Sequence, residues 1–138
     1  MIYGVALLYF PGIEPVAAAR KTALHQMREG LIVVDLQNRI ADANPTGAKM
    51  LGMPENHLKD KRLEDVLPIN PDDLRQMENE GTGYRDITLG KADSLRQYRL
   101  GLTALKGRDG EVIGQLILLH DVTEQRRAQT RIMEQQTV

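Results

Sequence analysis

Apolar and polar positions change their period several times along the chain, and each change marks an element. In residues 16–29, Val16, Ala19, Ala23, Leu24 and Met27 fall on one stripe at helical spacing, and Glu14 and Pro15 suit a first turn. The pattern predicts a helix that Gly30 stops. Its apolar face is narrow, so it should lie on the domain or on a copy of itself. Two β-branched runs, 31–35 and 39–43, flank Leu36-Gln37-Asn38. They predict a hairpin in which Asn38 takes a positive φ at modest cost. Asn44 and Pro45 then read as N-cap and first residue of a helix carrying Ala48, Met50 and Leu51, with Gly52 as its stop.

Residues 54–68 predict short helical turns with Leu58, Leu63, Val66 and Leu67 as inward anchors, and Asn70-Pro71 repeats the cap pattern ahead of a short polar helix at 73–80. Alternation with period two returns in 84–89, 95–105 and 111–120, and the Asp109-Gly110 turn makes the last two an antiparallel hairpin. At Asp121 the pattern changes abruptly to a charged, helix-prone tail reaching Gln136. The order predicts an α+β domain: a five-stranded antiparallel sheet with short helices on one face, flanked by N- and C-terminal helices. It divides the chain into an apolar segment with a linker helix (1–29), a domain (30–121) and the start of an output helix (122–138).

Composition narrows the chemistry. The 138 residues suffice for one domain with a sizeable core. A formal net charge of −1 gives no electrostatic argument for nucleic acid or an anionic membrane surface, and no nucleic-acid partner is expected. With no Trp and a single Phe, an aromatic platform for stacked bases is not expected. The absence of cysteine removes disulfides, thiolate metal sites and thiol-linked cofactors. The first ten residues are apolar but roughly half the ~20 that span a bilayer. Both a buried element end and the cytoplasmic end of a membrane helix fit them.

Four motifs in register resemble a PAS domain, the sensory module of histidine kinases, cyclic-dinucleotide enzymes and transcription regulators. Asp35-Leu-Gln-Asn-Arg39-Ile40 resembles the first hairpin, usually Asp-x-x-Gly-Arg-Ile, with Asn38 in place of the glycine. Asn44-Pro-Thr-Gly-Ala48-Lys-Met-Leu51-Gly52 resembles the helix that follows. Gly107-Arg-Asp-Gly110 with Gly114 resembles the last hairpin, and Asp121-Val-Thr-Glu124 the junction with an output helix. The likeness runs from about Met27 to Glu124. Upstream, Tyr3-Gly-Val-Ala-Leu-Leu and Pro15-Val-Ala-Ala-Ala-Arg20 are similar to the joint between a membrane sensor region and its first PAS domain in some prokaryotic histidine kinases.

The resemblance implies a cytoplasmic sensory relay, tethered in the full-length protein to the inner face of the membrane and joined to a C-terminal kinase or other output domain. It implies that Asp121 and Thr123, both suited to cap a helix, form the signal junction. The stripe Val16, Ala19, Ala23, Leu24 and Met27 is the candidate homodimer interface. Strand parity turns Tyr98, Leu100 and Leu102 inward beside Gln115, Ile117 and Leu119, with Leu51 and Leu67 from the helical segment. These would line a pocket for a small apolar ligand oriented by the Tyr98 hydroxyl and the Gln115 amide. A filled core with both groups satisfied internally is the alternative.

The cofactor is left open, with none among the options. The covalent flavin adduct of light-sensing members is excluded for want of a cysteine. Haem is not expected, because the helix before the third strand carries Met77 and no histidine. His25 and His57 read as surface residues, and His120 ends a strand with no Pro-Leu after it, unlike a phosphoacceptor histidine. No histidine pair has metal-ligand spacing, and the adjacent carboxylates Glu64-Asp65 and Asp72-Asp73 read as caps. The fragment is therefore expected to be no enzyme. A heptad frame on the tail puts Val122, Gln125, Gln129, Ile132 and Gln136 in the seam, too polar to hold a dimer unaided. A ligand-free dimerisation or relay domain is the competing reading.

Overall fold

The computed structural model describes residues 14–80 and 83–136. The apolar start of the chain lies outside the described residues, and with it the question of a membrane helix. Among the described residues no helix is long and apolar enough to cross a membrane.

The order of elements is α1 (Glu14–Gln26), β1 (Gly30–Val34), β2 (Ile40–Ala43), α2 (Pro45–Leu51), α3 (Glu55–Leu58), α4 (Leu63–Val66), α5 (Pro71–Glu80), β3 (Gly83–Leu89), β4 (Arg96–Lys106), β5 (Val112–Asp121) and α6 (Thr123–Gln136). The strands form one antiparallel sheet in the order β2-β1-β5-β4-β3. The two hairpins are thus joined by pairing β1 with β5, elements far apart in the chain, while α2 to α5 close over one face. Ile32, Val34, Leu100, Ile117 and Leu119 of the sheet meet Leu58, Leu63, Leu67, Leu74 and Met77 of the helical segment in one core. This is the half-buried alternation expected of an antiparallel sheet with one packed face.

The turn chemistry follows the residues. Asn38 sits at φ 59°, and the Asp35 carboxylate accepts the Gln37 and Arg39 backbone N–H groups, each at 2.9 Å. Gly52 ends α2 at φ 71°, its N–H reaching the Ala48 and Lys49 carbonyls. Asn70 accepts the Asp72 N–H at 2.9 Å, so α5 starts at Pro71, two residues earlier than the periodicity suggests.

Gly30 has a different task from the one its position suggested. Helix α1 ends at Gln26, and Gly30 is instead the buried first residue of β1. A Cβ there would meet the Met50 sulfur at 2.8 Å and the Gly47 Cα at 3.0 Å. The missing side chain lets β1 and α2 approach to backbone contact. Gly30→Val is expected to cost roughly 1–3 kcal/mol through overpacking, checked by urea unfolding; a stability equal to the parent would refute the close-approach role.

Candidate functional site

The C-terminal end of β5 is where the sheet hands the chain to α6. Asp121 is the last residue of β5 and lies opposite Tyr98 of β4. Its Oδ1 accepts the Thr123 backbone N–H at 2.9 Å, capping the first residue of α6. Its Oδ2 accepts Nε–H of Arg96, at the start of β4, at 2.6 Å. Val122 and Thr123 are each only 3% exposed. The Val122 N–H continues the ladder to the Gln97 carbonyl at 2.9 Å. The Thr123 hydroxyl accepts the Gln97 N–H at 2.8 Å and donates to the Gln97 carbonyl at 3.3 Å.

The junction therefore divides its labour differently from the expected pair of caps. Asp121 caps the helix, whereas Thr123 uses its hydroxyl to extend the sheet by one more pairing with β4. Arg96 is the partner that sequence spacing missed: it lies 25 residues away and reads as an ordinary polar strand position. It also approaches Glu124 at 3.8 Å. Val122 is buried in the domain and is withdrawn from the heptad seam, leaving Ile132, 53% exposed, as the apolar seam residue on α6.

Electrostatics at the joint follow from these contacts. Burial by itself raises the Asp121 carboxyl, but hydrogen bonds from Thr123 and Arg96 and the Arg96 charge outweigh it and hold the group below the usual carboxylate range. The same hydrogen bond and charge raise Arg96 further. Burial first, and the Asp121 charge second, raise the Tyr98 phenol, which keeps its proton at neutral pH. Because the folded carboxyl releases its proton more readily than the unfolded one, its contribution to stability is complete above the unfolded value of about 4 and fades as pH falls through the lower folded value. Asp121→Asn should accordingly flatten the fall in melting temperature on acidification below about pH 4. A parallel fall in parent and variant would contradict this.

The candidate pocket residues separate into two groups. Leu100, Ile117 and Leu119 are fully buried, Leu67 is 2% exposed, and Tyr98 and Leu102 are 5% exposed. With no accessible surface, Leu100, Ile117 and Leu119 adjoin no water-sized space. Leu51 is half-buried and packs against the same core. Gln115 is half-exposed and pairs with Ala104 and Val34, whereas Tyr98 pairs with Asp121. Six residues of β4 separate the two positions, roughly 20 Å along the strand. The Tyr98 hydroxyl and the Gln115 amide thus stand at opposite ends of the sheet, too far apart to orient one small ligand together.

The joint lies beside the point where the chain comes into the domain, since Gly30 pairs with Leu119. There the buried Asn44 accepts the Leu31 and Gly47 N–H groups, both at 2.8 Å, and donates to the Leu24 and Glu29 carbonyls at 3.3 and 3.0 Å. Thr46 donates to the Met27 carbonyl at 2.6 Å. The end of α1 is fastened to α2 in this way, and Leu24 and Met27 of the predicted stripe are half-buried against the domain. Val16, Ala19 and Ala23 stay exposed. On the outer face of the sheet His120 lies 3.5 Å from Glu29, and His25 and His57 are exposed. Among the described residues no three His, Asp or Glu side chains gather as a metal site.

Comparison with known proteins agrees with this architecture. Residues 24–127 match the model of the PAS fold. The sensor protein kinase WalK of Staphylococcus aureus is 26% identical over 108 residues, covering 78% of this chain and 26% of that protein. The chain thus spans about a quarter of that relative's length. Among solved structures, the PAS domain of a Colwellia psychrerythraea protein superposes with a TM-score of 0.63 at 19% identity, covering 79% of this chain and 98% of that one. An RNA-binding light-oxygen-voltage receptor superposes with a TM-score of 0.68 at 18% identity, covering 96% of this chain and 38% of that one. By sequence pattern, strand order and family match alike, the chain belongs to the PAS fold family.

Proposed function

We propose that this chain is the sensory relay module of a sensor histidine kinase. Residues 30–121 form its sensing body and 122–138 the start of the helix that carries the signal out. The observation that carries this reading is the double attachment of the start of α6 to β4, through Asp121 to Arg96 and through Thr123 to Gln97. A distortion of the sheet moves those anchors, and the helix must follow. A sensor kinase among the relatives supports the kind of output. Placement on the cytoplasmic side of the membrane, and homodimerisation through Val16, Ala19, Ala23, Leu24 and Met27, belong to the same proposal. So does the absence of catalysis within the fragment.

In the full-length protein, Asp121→Ala should abolish the dependence of output on the stimulus while circular dichroism stays that of the parent. An unaltered response would overturn the relay. A second reading, a relay that holds no ligand, is favoured by the closed core around Leu100, Ile117 and Leu119. Native mass spectrometry of freshly purified protein separates the two: a retained small molecule supports ligand sensing, and the bare polypeptide mass supports the ligand-free relay.

A further inference from the structure

The joint fixes where α6 begins but not where it points. Asp121 and Thr123 act at the first residue of the helix, and by themselves they set its start rather than its direction. A second attachment lies one turn further on. The Arg126 guanidinium pairs with the Asp86 carboxylate of β3, and the other oxygen of Asp86 lies 3.6 Å from Nε of Arg99. Arg99 is directly opposite Asp86 in the β3–β4 ladder and holds the carboxylate on the outer face of the sheet. From Thr123 to Arg126 the helix rises roughly 4.5 Å, so the two anchors act at different heights and on different strands. Pivot and side tether together define a direction.

Strand β3 is well placed to adjust that direction. Among the described residues it is an edge strand, paired only with β4. Its inner side touches the core at both ends of the segment in question. Ile87, the neighbour of Asp86, is 7% exposed and lies opposite Tyr98. Gly83 packs so closely on Met77 of α5 that a Cβ there would lie 3.2 Å from the Met77 Cγ. A change in the packing of Met77 therefore reaches β3 directly, without passing through β5.

We infer that Asp86 is a positioning residue that steers the output helix through Arg126, giving the core a route to α6 by the edge strand β3 in parallel with the Asp121 joint. This inference rests on the relay reading for its purpose, but its geometry is testable without any stimulus. An exposed ion pair biases a population by a factor of roughly two to five and weakens with salt. That strength suits a latch that must open.

The parent chain has no cysteine, so Thr103→Cys and Gln129→Cys, both at exposed positions, can be spin-labelled uniquely. Pulsed electron paramagnetic resonance on the whole chain, diluted with unlabelled protein, then reads the sheet-to-α6 distance. Asp86→Asn and Arg126→Gln are each expected to displace and broaden the distance distribution, and the double variant no further than either single one. About 1 M salt should reproduce the effect in the labelled parent. Arg126→Gln leaves the Asp86–Arg99 contact in place, so agreement of the two variants excludes a disturbance of the sheet. Thermal melting like that of the parent excludes unfolding. A distribution unchanged in either single variant, or additive shifts in the double, would overturn the latch. The response of full-length Asp121→Ala decides the relay reading separately.

Discussion

Asn44→Ala is expected to lower the unfolding free energy by roughly 3–5 kcal/mol, on the order of 10 °C in melting temperature. The side chain is 3% exposed and makes four hydrogen bonds, two accepted and two donated, all to backbone groups. Each is worth about 1 kcal/mol net, and the alanine leaves buried partners unsatisfied, which costs more than the bonds themselves. The Leu24 and Glu29 carbonyls lie at and just beyond the end of α1, where helix carbonyls lack intrahelical donors. Asn44 thus caps α2 with its oxygen and holds the end of α1 with its nitrogen. Asn44→Asp separates the tasks, because it keeps the acceptor and turns a second oxygen toward two carbonyls. Hydrogen exchange should then show α1 loosened and α2 still protected. Equal loosening of both, or a melting temperature near the parent's for Asn44→Ala, would refute the hub.

Leu100→Ala should cost roughly 3–4 kcal/mol, on the order of 10 °C or more in melting temperature. Leu100 is fully buried at the centre of the sheet, opposite Leu119, also fully buried. In a filled core the substitution loses both the transfer free energy of the side chain and the contacts around the new void, at about 24 cal/mol per Å³ of cavity. Were the same residue lining a pre-existing chamber, the second contribution would be small and the cost nearer 2 kcal/mol. Denaturant unfolding of the purified protein therefore measures how full the interior is. A void bounded by leucine and isoleucine also stays dry and takes small apolar molecules. Benzene should raise the stability of Leu100→Ala by mass action and leave the parent unchanged. Stabilisation of the parent to the same extent would point to a cavity already present.

The elements were legible because their causes are local. Asn38 at positive φ, Asn44 and Pro45 opening α2, Gly52 closing it and the alternation of β4 and β5 each depend on residues within a few positions. The misjudged features depend on distant partners. Gly30 looked like a helix stop because glycine ends helices, but its neighbours there are Met50 and Gly47 across the fold. Thr123 looked like a second cap because threonine suits that role, but its hydroxyl accepts the Gln97 N–H from 26 residues away. Parity turned Tyr98 and Gln115 to the same face, as their strands require, yet parity has no term for distance along a strand. The ladder register sets them at opposite ends.

By itself the sequence determined the antiparallel α+β class, the five strands, the inward face of Leu100, Leu102, Ile117 and Leu119, and the family resemblance, since periodicity, turn residues and capping patterns are properties of short segments. Tertiary structure determined which residues make a joint. Pairing β1 with β5 brings the end of α1 beside the start of α6, and ladder register brings Arg96 to Asp121 and Asp86 to Arg126, 25 and 40 residues apart. No local pattern encodes those meetings, because they depend on how non-local strands align once the core is packed.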